Sequence, residues 1–71
     1  MNELMKALQK KYESDIAVAK ANIEVYLKNP AGIGEHPDIV EAVNSQVQHI
    51  ADAEDNLEVL LNHYTSELGN R

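Results

Sequence analysis

The sequence predicts an all-α fold: a two-helix antiparallel hairpin that dimerises into a four-helix bundle. Three observations carry this expectation. Two long stretches lacking Gly and Pro repeat apolar residues every three or four positions, which is the period of an amphipathic helix. Between them lies a short segment holding Pro30, Gly32 and Gly34. The apolar residues also outnumber what one pair of helices can cover.

The first helix is expected over about 2–28. It is rich in Ala, Leu, Lys and Glu, all good helix formers. Its stripe is Met5, Leu8, Tyr12, Ile16, Ala19, Ile23 and Tyr26. Asn2 suits the N-cap, and Glu3 suits the positive end of the helix dipole. Pro30 pushes Asn29 out of the helical region, so the helix should end at Lys28 or Asn29.

The loop, 29–36, is Gly-rich, which permits a tight turn. Ile33 is its one apolar side chain, expected to tuck over the end of the hairpin. Pro37 then suits the first position of a second helix, with Asp38 near its positive end. That helix is expected over about 37–68, stopped by Gly69. Its stripe is Val40, Val43, Val47, Ile50, Glu54, Leu57, Leu61, Tyr64 and Leu68, a coiled-coil heptad with one polar member.

So short a loop makes the helices antiparallel neighbours. The expected register sets Tyr26 against Val40, Ile23 against Val43, Ala19 against Val47 and Ile16 against Ile50. Tyr12 then falls opposite Glu54, and Met5 opposite Leu61. The pair Tyr12 and Glu54 would satisfy each other by a hydrogen bond in the core. The plainer alternative, which is favoured, leaves Glu54 at the edge in water. Leu4, Val18, Val25 and Leu27 fall outside the first stripe, and Ile39, Val59 and Leu60 outside the second. Ala17, Ala19 and Ala21 allow close helix approach. A second copy is the economical cover for this surplus.

Composition sets the bounds. The chain has 71 residues, enough for a single domain over 1–71 with a marginal core. It has no Cys, Phe or Trp and three Tyr. Disulfides and thiolate metal sites are thereby excluded, leaving helix packing or oligomerisation as the stabiliser. The net charge is −6 and the pI about 4.8. The only adjacent basic pair is Lys10 and Lys11, so nucleic acid and anionic membrane are poor partners, and a basic protein surface is a better one. No stretch reaches the ~20 apolar residues of a membrane span. The start of the chain carries charges where a signal peptide carries an apolar run.

Site chemistry does not emerge. His36, His49 and His63 are too far apart to share one metal ion, since a helical zinc site wants ligands four apart; they are read as surface histidines. The acidic run Asp52-Ala-Glu-Asp-Asn56 resembles the opening of a calcium loop. Its sixth and twelfth positions hold Leu57 and His63, where the template needs Gly and Glu. Ser14, Ser45 and Ser66 lie in helical segments without a strained elbow. Gly32-Ile33-Gly34 precedes a helix N-terminus, but Glu35 and Asp38 would repel a phosphate. No cofactor, metal or catalytic residue is expected.

The stretch AKANIEVYLKNPAGIGEHPDIVEAV, 19–43, resembles a segment of small uncharacterised helical proteins from T-even-type contractile-tailed bacteriophages, including phages of marine bacteria. The likeness centres on NIEVYL, 22–27, and NPAGIGEHPDI, 29–39, and extends to NLEVLL, 56–61. It implies a viral protein acting in the cytoplasm of an infected bacterium or assembled into a virion; it implies no mechanism. The expected function is a non-enzymatic protein–protein interaction module, homodimeric and acidic, with a host or phage protein as target. A minor virion or assembly component is the alternative. Val18, Val25, Tyr26 and Leu60 are the candidate interface residues, and Tyr12 and Glu54 the candidate polar core.

Overall fold

A computed structural model of the chain describes residues 2–29 and 38–68. Among these the fold is two helices with no strand: α1, Glu3–Lys28, and α2, Ile39–His63, joined as an antiparallel hairpin. A 3-10 turn, Thr65–Leu68, follows α2. The expected loop, with Ile33, His36 and the start of helix two at Pro37, lies outside the described residues.

α1 has the ends its sequence dictates. The Asn2 side-chain oxygen accepts hydrogen bonds from the Leu4 and Met5 amides at 2.9 and 3.2 Å, which satisfies two of the amides that every helix start leaves without partners. Asn29 leaves helical geometry, its amide donating to the Val25 carbonyl at 2.8 Å. α2 starts at Ile39. Asp38 makes no side-chain cap hydrogen bond, although its carbonyl accepts from the Ala42 amide at 2.9 Å.

The two helices meet in a register different from the expected one. The Asn22 side-chain amide donates to the Gln46 side-chain oxygen at 3.1 Å. The expected register, with Ile23 against Val43, would have set Asn22 against Asn44. α2 is therefore displaced by two residues, about 3 Å at the helical rise. The contact line on α2 also differs. It runs through Ile39, Gln46, Ala53 and Leu60, with Val43, Ile50 and Leu57 beside it. Half the expected stripe is thus replaced by its neighbours: Val40, Val47, Glu54 and Leu61 are exposed. Small Ala53 sits in the seam because helix axes approach closely only where side chains are short.

α2 does not run to Leu68. It ends at His63 with Tyr64 as C-cap, whose amide donates to the Leu60 carbonyl at 2.8 Å. The Thr65 hydroxyl donates to the Leu61 carbonyl, a local bond that competes with continued helix. The 3-10 turn then folds onto the start of α1. The Asn2 amide donates to the Glu67 carbonyl at 3.1 Å, and Leu68 is only 1% exposed. A straight helix would have left Leu68 in water.

The hairpin is slender, with Cα extents of 49 × 15 × 14 Å and a radius of gyration of 15.5 Å. A compact domain of this length has a radius of about 11 Å. Among the described residues only Ala19, Ala53, Leu60 and Leu68 are fully buried. No helix here is long and apolar enough to cross a membrane.

Candidate functional site

The contact line divides the hairpin into two broad faces. On α1 it runs through Met5, Tyr12, Ala19 and Tyr26, and on α2 through Ile39, Gln46, Ala53 and Leu60, each spaced by seven. Because the helices are antiparallel, equal offsets from these lines fall on the same side of the hairpin. Residues three beyond the line include Asp15, Asn22, His49 and Asn56, and those one before it include Lys11, Val18, Val25, Asp52 and Val59. Residues four beyond it are Gln9, Ile16 and Ile23 on α1 and Val43, Ile50 and Leu57 on α2. Those one beyond it are Lys6, Glu13, Lys20 and Leu27 on α1, and Val40, Val47, Glu54 and Leu61 on α2. The two sides expose large apolar side chains alike, Leu4, Val18, Val25 and Val59 on the first and Leu27, Val40, Val47 and Leu61 on the second. They differ in the positions nearest the seam, mostly polar three beyond the line and mostly apolar four beyond it, and are called the polar and the apolar face on that ground.

Each face carries a groove. That of the polar face, about 470 Å³, is lined by Lys11, Asp15 and Asn22 from α1 and Gln46, His49 and Asp52 from α2, among others. Lys11 reaches Asp15 at 2.8 Å and lies 5.8 Å from the centre of the Tyr12 ring. The hydrogen bond to Asp15, reinforced by its charge, holds the Lys11 ammonium above its ordinary pKa. Both groups are largely in water, so the pair adds little to stability. Asn22 and Gln46 bridge the helices here.

The groove of the apolar face lies toward the loop end. It measures about 410 Å³ and is lined by Tyr26, Leu27, Ile39, Val40, Val43 and Asn44. Val40 is 73% exposed. Beyond the groove, Val47 and Leu61 continue the exposed apolar row along α2. Every residue four beyond the contact line is apolar except Gln9, and those from Ile16 to Leu57 are half-buried. Side chains in that state are covered on the hairpin side and bare on the other.

The candidate residues divide accordingly. Val18 and Val25, each 56% exposed, lie on the rim of the polar face. Tyr26 is half-buried at the contact line and enters the apolar groove. Leu60 is a correction: expected to be an exposed contact, it is 4% exposed and belongs to the hairpin seam. Of two adjacent leucines only one can face α1, and the contact line selects Leu60 over Leu61. Of the two readings of Tyr12 and Glu54, the structure agrees with the favoured one, Glu54 at the edge in water, and the core pair is not formed. Tyr12 lines the polar groove, whereas Glu54 is exposed on the apolar side. Among the described residues no hydrogen bond joins them. The polar seam consists instead of Asn22 and Gln46, which have no apolar signal to mark them in the sequence.

Among the described residues no group of three His, Cys, Asp or Glu side chains is placed to hold a metal ion. No side-chain nitrogen or oxygen is buried without a partner. His49 and His63 are exposed, as are Ser14, Ser45 and Ser66. Comparison with protein-family models, with curated proteins and with solved structures returns no match to the chain. The geometry therefore bears the functional reading.

Proposed function

We propose that the protein is a non-enzymatic protein–protein interaction module that self-associates through its apolar face and presents its acidic polar face outward. The observation that carries this is the row of half-buried apolar side chains along one side of the seam, Ile16, Ile23, Val43, Ile50 and Leu57. A compact monomer of 7.9 kDa exposes about 4,400 Å² by the usual mass scaling, whereas this chain exposes 5166 Å². The difference reflects the slender shape of the hairpin, 49 × 15 × 14 Å, which leaves a core too thin to cover both sides of the seam. Two hairpins packed face to face would cover the Val40–Val47–Leu61 row and complete the half-buried Ile16, Ile23, Val43 and Ile50.

The polar face then remains for a second protein. The valine rim of Val18 and Val25 beside the charged groove has the mixed character of a non-obligate interface, and the net charge favours a basic partner surface. The likeness to phage proteins makes the infected bacterial cytoplasm the setting, with a host or phage protein as target. The experiment is solution mass by light scattering over a concentration series, with helicity measured alongside. A helical dimer is expected. A helical monomer at every concentration overturns the self-association; a chain that is not helical overturns the independent module.

A further inference from the structure

We infer that the second copy is seated about a two-fold axis running across the helices, so that α1 packs on the partner's α1 and α2 on the partner's α2. The inference deepens the self-association proposed above and rests on it. Two closed two-fold arrangements bring apolar face to apolar face with all neighbouring helices antiparallel. With the axis along the helices, α1 lies beside the partner's α2. With the axis across them, like helices pair and the two loops sit at opposite ends.

Charge decides between them. Glu13 and Lys20 point outward from α1 on the apolar face, both exposed. Neither takes part in the ion pairs found among the described residues, which join Lys11 to Asp15 and Lys28 to Glu24. With the axis along the helices, heights are preserved between the copies. Asn22 is level with Gln46, so Glu13 is level with position 55 of the partner chain. Its outward neighbour would then be the partner's Glu54, a like charge met twice per dimer, and Lys20 would face the partner's Val47. With the axis across the helices, Glu13 meets the partner's Lys20 and Lys20 the partner's Glu13. Opposite charges then close both seams of the α1 pair.

The hairpin register carries this axis from α1 to α2. Setting Glu13 against the partner's Lys20 places it on α1 between Ile16 and Ala17. Setting Val40 against the partner's Leu61 places it on α2 between Ile50 and Ala51, with Val47 then facing the partner's Glu54 at the outer edge. The hairpin register sets Ala17 level with Ala51. The two positions therefore agree to about one residue, or ~1.5 Å of helical rise.

The test is charge reversal read by sedimentation. Glu13→Lys is expected to raise the dimer dissociation constant about tenfold, since two attractive contacts become repulsive. Adding Lys20→Glu to the same chain restores opposite pairs and should return the wild-type affinity. If Glu13→Lys tightens the dimer, α1 lies beside the partner's α2 and the axis is overturned while self-association stands. A second measurement does not depend on weak surface charge. The chain has no Cys, so an oxidised equimolar mixture of Val40→Cys and Leu61→Cys chains should give a mixed disulfide dimer, with neither variant linking alone. Linkage of Val40→Cys to Leu27→Cys instead overturns the axis. A wild-type chain that is monomeric throughout overturns the self-association itself, and the axis with it.

Discussion

The two faces of the hairpin are built by the same pair of helices from positions only one residue apart, yet they differ in kind. Three residues past the contact line stand Asp15, Asn22, His49 and Asn56; four past it stand Ile16, Ile23, Val43, Ile50 and Leu57. The first set is at ease in water. The second is half-buried, covered by its own hairpin on one side and bare on the other. An amphipathic helix needs one apolar stripe; these helices carry an arc wide enough for two contacts, and among the described residues the second has no occupant.

The sharpest way to break this comparison is to place a charge on each face in turn. Val47→Glu on the apolar face should weaken self-association about tenfold by sedimentation, because it replaces an apolar contact with a carboxylate facing the partner's Glu54. Val18→Glu on the polar face should leave the dimer intact. Equal effects from both would remove the distinction. The seam belongs to neither face. Leu60→Ala should cost about 2–5 kcal/mol in thermal or urea unfolding, enough to abolish cooperative unfolding in a hairpin this small. Asn2→Ala, which removes a helix cap remote from either groove, should cost about 1 kcal/mol while leaving the dissociation constant unchanged once folding is corrected for.

The smallest effect lies in the polar groove. The folded-state pKa of Lys11 is raised by Asp15, so the associated stability is fully present below the unfolded-state pKa and is lost as the pH climbs through the raised value. Asp15→Asn should lower the Lys11 pKa toward its ordinary value in an NMR titration and flatten any stability change at alkaline pH. Near neutrality the substitution should be almost silent, because the pair is exposed.

The helices themselves were legible because their cues are local. Asn2, Pro30 and the three-and-four spacing each act within a turn or two of chain, and α1 begins and ends where they indicate. The phase of α2 was not. Val40, Val47 and Leu61 dominate an apolar stripe, yet the positions that touch α1 include Gln46 and Ala53, which carry little hydrophobic weight. The stripe visible in the sequence merges the positions that touch α1 with the bare apolar positions beside them, and its centre falls between the two sets. That error moved Leu60 out of the core and shifted the register by two residues, whereas Glu54 lies in water as the favoured reading had it. The end of α2 was misplaced for another reason: Tyr64-Thr65-Ser66 is a run of weaker helix formers, outweighed in the reading by Leu68 continuing the heptad.

The folded-back tail has a consequence for how the molecule comes apart. A plain helical hairpin opens from its free tips, each helix fraying independently of the other. Here the amide of Asn2 and the carbonyl of Glu67 are tied, and Leu68 is stowed against the same end, so the tips hold one another shut. Fraying becomes a joint event, and the slow-exchanging amides should extend into both terminal turns as one cooperative unit. Truncating Leu68 to Ala should release the first turn of α1 and the last turn of α2 together, although nearly the whole sequence separates them.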